Sequence, residues 1–262
     1  MRTLPRRFSA RFLPKGWPDL LRQIVLFCGA YWLYRLVRGA TDGRVAEAFA
    51  HARDVIALER TLGVFVEPAM QAWAEGTDWV IDVASWAYVN SHFTITTVTL
   101  AFIYLRRNPS FYFIRNMFMV AMGLALVGYA AFPTAPPRYM PEWGFSDSVA
   151  QFTGLTGAGS SADTLYNPFA AVPSMHVAFA LMLGVPMARM ARHRWAKGLW
   201  SIYPALVSLV VVVTANHWWF DAFTGALVAA VSAVAALLFA RIRPRAWSWT
   251  PPAAAATAQQ AV

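Results

Sequence analysis

The sequence predicts an all-α fold: a polytopic membrane helical bundle with about six transmembrane helices and an interfacial amphipathic helix. Three observations carry that expectation. The 262 residues are 58% hydrophobic and only 13% charged, with a mean hydropathy of +0.43, whereas soluble domains carry about 25% charged residues. The apolar residues gather in runs long enough to cross a bilayer, which takes roughly 20 residues. The lysines and arginines concentrate in the short stretches between alternate runs, as orientation in a membrane requires. The 12 Trp and 18 Phe agree, since aromatic rings favour the membrane–water interface. A soluble protein with one very large core does not fit runs of this length.

In chain order the expected spans are 20–37, 79–105, 111–132, 170–188, 199–215 and 218–240. They divide the chain into a basic cytoplasmic segment at 1–19, a membrane-embedded domain at 20–245 and a Pro/Ala-rich disordered tail at 246–262. The first run follows basic residues, as a signal peptide would. Arg35 and Arg38 follow it without a convincing small-residue cleavage site, so it reads as an uncleaved span. Asp82 near the start of the long second run puts its first turns above the hydrocarbon.

Orientation follows from the cations. With the N-terminus inside, the cytoplasmic segments hold Arg2, Arg6, Arg7, Arg11, Lys15 and Arg22, then Arg106, Arg107 and Arg115. Further on they hold Arg189, Arg192, Arg194 and Lys197, then Arg241, Arg243 and Arg245. The outer loop from 133 to 167 holds only Arg138. Both termini are then cytoplasmic, in a multi-pass protein of the cell membrane. The net charge of +9 is scattered in these short clusters, a distribution that suits anionic lipid head groups and argues against nucleic acid. Cys28 is the one cysteine, so neither an intramolecular disulfide nor a thiolate metal site is expected.

Between the first two spans, Val45, Ala48, Phe49, Ala52, Val55 and Ile56 fall on one helical stripe, with Arg44, Glu47, Arg53 and Asp54 largely opposite. That pattern predicts an amphipathic helix on the outer surface, interrupted or restarted at Pro68. Arg53, Asp54 and Glu59 read as its solvated face.

Two motifs carry the chemistry: Pro173-Ser174-Met175-His176, and His217-Trp218-Trp219-Phe220-Asp221. Each stands where a polar loop gives way to an apolar run, and a titratable ring entering lipid needs a task or a partner. Thr214-Ala215-Asn216 forms the turn before the last span, so His217 falls in its first turn with Asp221 one turn deeper. A carboxylate that accepts from one imidazole nitrogen leaves the other nucleophilic. The plainer reading is a mutually satisfied pair that ties a helix end.

Pro173 and Ser174 are ordinary helix-start residues. They do not account for His176, which at a helix start would face phosphate held by backbone amides and could protonate a leaving oxygen. Pro133, Pro136 and Pro137 stiffen the loop that carries Arg138. The guanidinium suits a phosphate, unless Glu142 or Asp147 pairs with it. His92, with Tyr88, Asn90 and Ser91 in the second run, would line the same pocket or serve as a satisfied structural histidine.

Pro-Ser-Met-His followed by His-x-x-x-Asp, behind a Pro-Pro-Arg loop, resembles the type-2 phosphatidic acid phosphatase superfamily, most closely its branch related to inositol phosphorylceramide synthase. The likeness covers 132 to about 225; the first hundred residues match in general hydropathy only. It implies His217 as nucleophile, Asp221 as its orienting partner, His176 as general acid and Arg138 as phosphate ligand. Ser174, Asn216 and His92 would assist in substrate binding. Two positions depart from the phosphatase pattern: Ala131 stands where a lysine is expected, and Val211 where an arginine is. Fewer cations then meet the phosphate, which favours the transferase-like branch.

The resemblance implies an enzyme that transfers phosphoryl from a lipid phosphoester, through a phosphohistidine, to water or a polyol at the extracytoplasmic face. No carboxylate cluster for magnesium is evident, so no cofactor and no metal dependence are expected. His92, His176, His217 and Asp221 would also suit zinc in a membrane hydrolase, and a non-catalytic membrane protein is the third possibility.

Overall fold

The computed structural model describes residues 13–39, 44–154 and 169–244, the side chains of 34–39 aside. The expected tail at 246–262 and the arginines at 2–11 lie outside these residues. α1 (Gly16–Gly39) is followed by α2 (Val45–Thr61), α3 (Glu67–Glu75) and α4 (Asp78–Trp86). A single π turn, Ala87–Ser91, joins α4 to α5 (His92–Arg106), so the second expected span is one helical segment with a bulge in it. α6 (Asn108–Ala131), the short α7 (Ser148–Thr153), α8 (Met175–Met190), α9 (Arg194–Val213) and α10 (Trp219–Ile242) complete the order. No strand occurs among the described residues; one isolated bridge pairs Thr134 with Ala170.

Among the described residues three helices are long and apolar enough to cross a membrane: α6, α9 and α10. They coincide with the expected spans at 111–132, 199–215 and 218–240. The expectation at 170–188 needs correction, because the helix begins only at Met175. The Thr134 amide donates to Phe169 O at 2.8 Å and the Ala171 amide to Thr134 O at 3.3 Å. An apolar composition alone did not reveal that those residues brace a loop. α8 is therefore a 16-residue helix, with Pro186 inside it.

The bundle is centred on α6, α8 and α10; α1 and α5 lean on α6, and α9 lies along α8. The central crossings are close because glycines stand at them. A Cβ on Gly225 of α10 would lie 2.3 Å from Ser174 O, and one on Gly184 of α8 would lie 2.8 Å from Trp200 O of α9. Outward faces of α9 and α10 present Leu199, Ile202, Leu206, Phe223, Leu227 and Val234, as a surface that meets lipid requires.

A polar network ties α1 into the bundle. Asp19 accepts from Tyr104 (3.0 Å), Tyr112 (2.7 Å) and Gln23 Nε2 (3.1 Å). Arg115, 2% exposed, donates to Gln23 Oε1 at 2.9 Å and to Asn116 Oδ1. Each charge has its partner, as burial demands.

The amphipathic stripe forms as expected, but it meets protein. Ala48, Ala52, Val55 and Ile56 pack with Ala135, Met140, Phe145 and Trp218, while Val45 stays exposed. Arg53 and Asp54 are exposed as expected. Glu59 is not: it is 2% exposed and turned inward. The helical period gives a residue's angle around the axis, and that angle does not reveal that α3 and α10 cover this part of the polar side.

Candidate active site

α6 and α9 end, and α8 and α10 begin, at the same end of the bundle; the π turn before α5 lies there too. Arg106, Arg107, Arg189, Arg192, Arg194, Lys197, Arg241 and Arg243 stand at the opposite ends of these helices. Antiparallel packing of neighbouring helices thus gathers the motif histidines at one pole and these eight cations at the other, while Arg44 and Arg138 stand at the histidine pole.

The turn ahead of α10 is held from several sides. Ala215 adopts a φ of +52°, a left-handed conformation unusual for a residue with a Cβ, and its carbonyl accepts from the Arg138 amide at 2.9 Å. Helix α10 starts at Trp219, so His217 precedes the helix and does not occupy its first turn as the spacing suggested. Asp221, in the first turn, reaches back across the cap. Its Oδ2 lies 3.0 Å from His217 Nδ1 and accepts from the Trp218 amide at 3.0 Å. Asp221 is fully buried and His217 is 6% exposed, so the carboxylate holds one imidazole nitrogen, Nδ1, and leaves Nε2 outside that contact.

His176 is the second residue of α8, capped by Ser174, whose Oγ accepts from the Val177 amide at 3.5 Å. The Ser174 amide donates to Asp221 O at 3.0 Å, which seats the start of α8 directly on the start of α10. The rings of His176 and His217 consequently lie 5.5 Å apart, centre to centre. His92 packs against His176 at 4.3 Å and Tyr88 stacks on it at 4.9 Å. The π turn brings both residues toward α8; such bulges recur at functional sites. His92 Nδ1 is buried without a hydrogen-bond partner.

Arg138 lies in the short 3₁₀ turn Pro137–Tyr139. Its Nη1 donates to Asn216 Oδ1, the residue beside His217, and its Nε lies 3.6 Å from Asp147 Oδ2. Pairing with a carboxylate of the same loop is therefore real for Asp147, while Glu142 is exposed. The Asn216 amide nitrogen donates to Thr214 O and Oγ1, both at 3.0 Å. Both ends of that amide are in use, so Asn216 aims Arg138, and the Ser174 hydroxyl serves as a cap.

Several residues that shape the site had no role in the sequence reading. Trp218, fully buried, donates its indole N–H to Ala135 O at 3.0 Å and so fixes the proline loop to the histidine turn. His51 Nδ1 lies 2.8 Å from Pro133 O, its ring stacked on Phe132 at 4.0 Å. Glu67 Oε1 accepts from the Trp219 amide at 3.0 Å, and Glu59 Oε1 from the Phe220 amide at 2.8 Å. These amides are the unpaired donors that any helix start presents. Burial first, and then the neighbouring Glu67 carboxyl, push the Glu59 carboxyl up to about 9. Trp218 lies within a motif and signalled itself by position; the two glutamates gave no local signal.

A groove of about 720 Å³ lies between α8, α9 and α10, and none of His176, His217, Asp221 and Arg138 is among its lining residues. Val177, Leu181, Trp200, Pro204, Trp219 and Ala222 line it. Val177 directly follows His176, and Ala222 directly follows Asp221. Among the described residues no group of three or more His, Cys, Asp or Glu side chains is arranged to hold a metal ion. A family model described as PAP2 superfamily matches residues 53–235. No curated protein and no solved structure matches the chain.

Proposed function

The chain belongs to the PAP2 superfamily, and we propose that it is a membrane lipid phosphotransferase working through a phosphohistidine, like the inositolphosphotransferase branch. The observation that carries this reading is the His217–Asp221 pair at 3.0 Å with the His176 ring 5.5 Å from that of His217.

In the first step the free nitrogen of His217 attacks phosphorus in line. The bond from phosphorus to the leaving oxygen breaks, and His176 gives that oxygen its proton. Asp221 stabilises the positive charge that develops on His217. In the second step His176 takes a proton from water or a polyol hydroxyl, whose oxygen displaces the phosphoryl group from His217. Two displacements let one site choose its acceptor by access alone. Arg138, aimed by Asn216, meets the phosphate charge. The first amides of α10 are taken by Glu59 and Glu67, so any help from helix amides falls to α8.

A lipid donor is supported by the groove. From Val177 to Ala188 the α8 lining runs about 16 Å at 1.5 Å per residue, roughly one leaflet of a hydrocarbon core of about 30 Å. The replacement of two expected cations by Ala131 and Val211 favours the transferase branch over a plain lipid-phosphate phosphatase. The cations gathered at the far pole support a cytoplasmic position for that pole, with the histidines at the extracytoplasmic face of a six-span bundle.

The test is to incubate purified protein with a labelled lipid phosphate or phospholipid and candidate polyols. A new phosphodiester supports the transferase, and free phosphate alone shifts the reading to a phosphatase. His217→Ala should abolish either product in a folded protein; near-normal turnover removes His217 as nucleophile. Loss of activity on exhaustive chelation would favour zinc at these side chains, and a folded but inert protein would favour a non-catalytic role.

A further inference from the structure

Two buried acids sit behind the candidate nucleophile, and the proposed transfer does not use them. Glu59 of α2 is 2% exposed and Glu67 of α3 is fully buried. One oxygen of each is anchored on a backbone amide of α10, Phe220 for Glu59 and Trp219 for Glu67. The other oxygen of each, Oε2, is buried with no N–H or O–H donor upon it. Their anchors are consecutive amides, which makes the two carboxyl groups neighbours, and Glu67 is among the groups that act on Glu59. Two carboxylates cannot hydrogen-bond, since both only accept; one proton between them supplies the missing donor and removes a buried like-charge repulsion.

We infer that Glu59 and Glu67 form a proton-sharing carboxyl pair that positions the nucleophile turn by clamping the first two amides of α10. The inference rests on the phosphohistidine reading given above. The clamped amides immediately precede Asp221, which holds His217 and whose carbonyl seats Ser174 and hence His176. The charged groups acting on Glu59 are both acids, Glu67 from α3 and Asp221 from α10. With the proton in place the pair carries one negative charge; without it, two charges stand beside Asp221 and the clamp loses its internal hydrogen bond. Neither glutamate touches substrate, so both are positioning residues.

The test is the pH dependence of kcat and KM on a lipid phosphate in detergent micelles. In the wild type kcat should fall as pH rises through about 9, where Glu59 ionises, with KM little changed. Glu59→Gln keeps both contacts, its carbonyl on Phe220 and its amide on Glu67 Oε2, so it should retain most of kcat and lack that alkaline limb. Glu59→Ala should lose about 10- to 100-fold in kcat, as a small misplacement of reacting groups does. An unchanged alkaline limb in Glu59→Gln overturns the inference. Glu67→Gln, which also replaces the shared proton by an amide, gives the same reading if Glu59→Gln does not fold.

A readout without turnover separates this inference from the enzyme reading. A carboxyl raised from 4.5 to about 9 in the folded state stabilises most at low pH, and that contribution is lost as pH rises across the interval. The wild-type melting temperature should decline over that window and the Glu59→Gln profile should be flatter. If no lipid phosphate is turned over but the profiles differ in this way, the enzyme reading fails and the carboxyl pair stands. Parallel profiles overturn the pair.

Discussion

Replacing Gly225 by alanine tests whether the crossing of α8 and α10 sets the separation of the two imidazoles. A Cβ at that position would lie 2.3 Å from Ser174 O, 3.2 Å from its carbonyl carbon and 3.4 Å from its Cβ. The nearest contact is backbone, so no rotamer relieves it. Since real Cβ atoms essentially never approach closer than 3.0 Å, the two helix starts must part by about 0.7 Å. Ser174 is the cap of the helix that carries His176, and its amide is bonded to Asp221 O. The displacement therefore falls on the His176–His217 spacing. A misplacement near 1 Å costs about 10²-fold in rate, so kcat should drop between about 10- and 100-fold. Stability should change less. Overpacking costs about 1–3 kcal/mol, offset in part by about 1 kcal/mol of helix propensity. The assay is product release from a labelled lipid phosphate, alongside a thermal melt of the same preparation. Gly123→Ala in α6 is the control, because a Cβ there meets nothing within 4 Å; its kcat should match wild type. Wild-type kcat in Gly225→Ala would refute the argument that this crossing positions the chemistry.

Asp221→Asn replaces the carboxylate that holds the His217 ring by a neutral amide of nearly the same shape. Turnover should fall by at least about 10³-fold, as when a catalytic imidazole loses its orienting carboxylate; single-turnover kinetics would check it, and retention of a tenth of the rate would count against the orienting role. Trp218→Phe keeps a ring against Phe65 and Phe145 but loses the bond to Ala135 O. It should destabilise by about 1 kcal/mol, against about 3–5 kcal/mol for Trp218→Ala, both read from unfolding midpoints. Asp19→Ala strips Tyr104, Tyr112 and Gln23 of their shared acceptor. It should lower the melting temperature with kcat nearly unchanged, since the network lies at the pole away from the histidines; a selective loss of kcat would contradict that separation.

What the sequence made legible was local. The i to i+4 spacing of His217 and Asp221, the cap at Ser174 and the runs that became α6, α9 and α10 all depend on neighbours within one or two turns. The stripe of α2 was also readable, because period reveals an apolar face. Its target was not: Ala135, Met140 and Trp218 come from distant segments, and a stripe that meets lipid has the same pattern as one that meets protein. Glu59 failed for the same reason, since an acid on a polar face is indistinguishable from a solvated one until α3 and α10 close over it. Asn216 was readable as polar and adjacent to His217, but its bond to Arg138 closes a loop across the chain. The apolar stretch from Phe169 to Val172 resembled a helix start by composition, and only its backbone bonds to Thr134 mark it as a brace.

The groove between α8, α9 and α10 bears on kinetics if the proposed lipid donor occupies it. A reactant that arrives along the plane of the bilayer is counted per unit area of membrane, so molarity in the surrounding water is the wrong concentration scale. Turnover by such a protein would follow the mole fraction of donor among the lipids present. Diluting vesicles with buffer would leave the rate per protein unchanged, whereas diluting the donor with inert lipid would lower it.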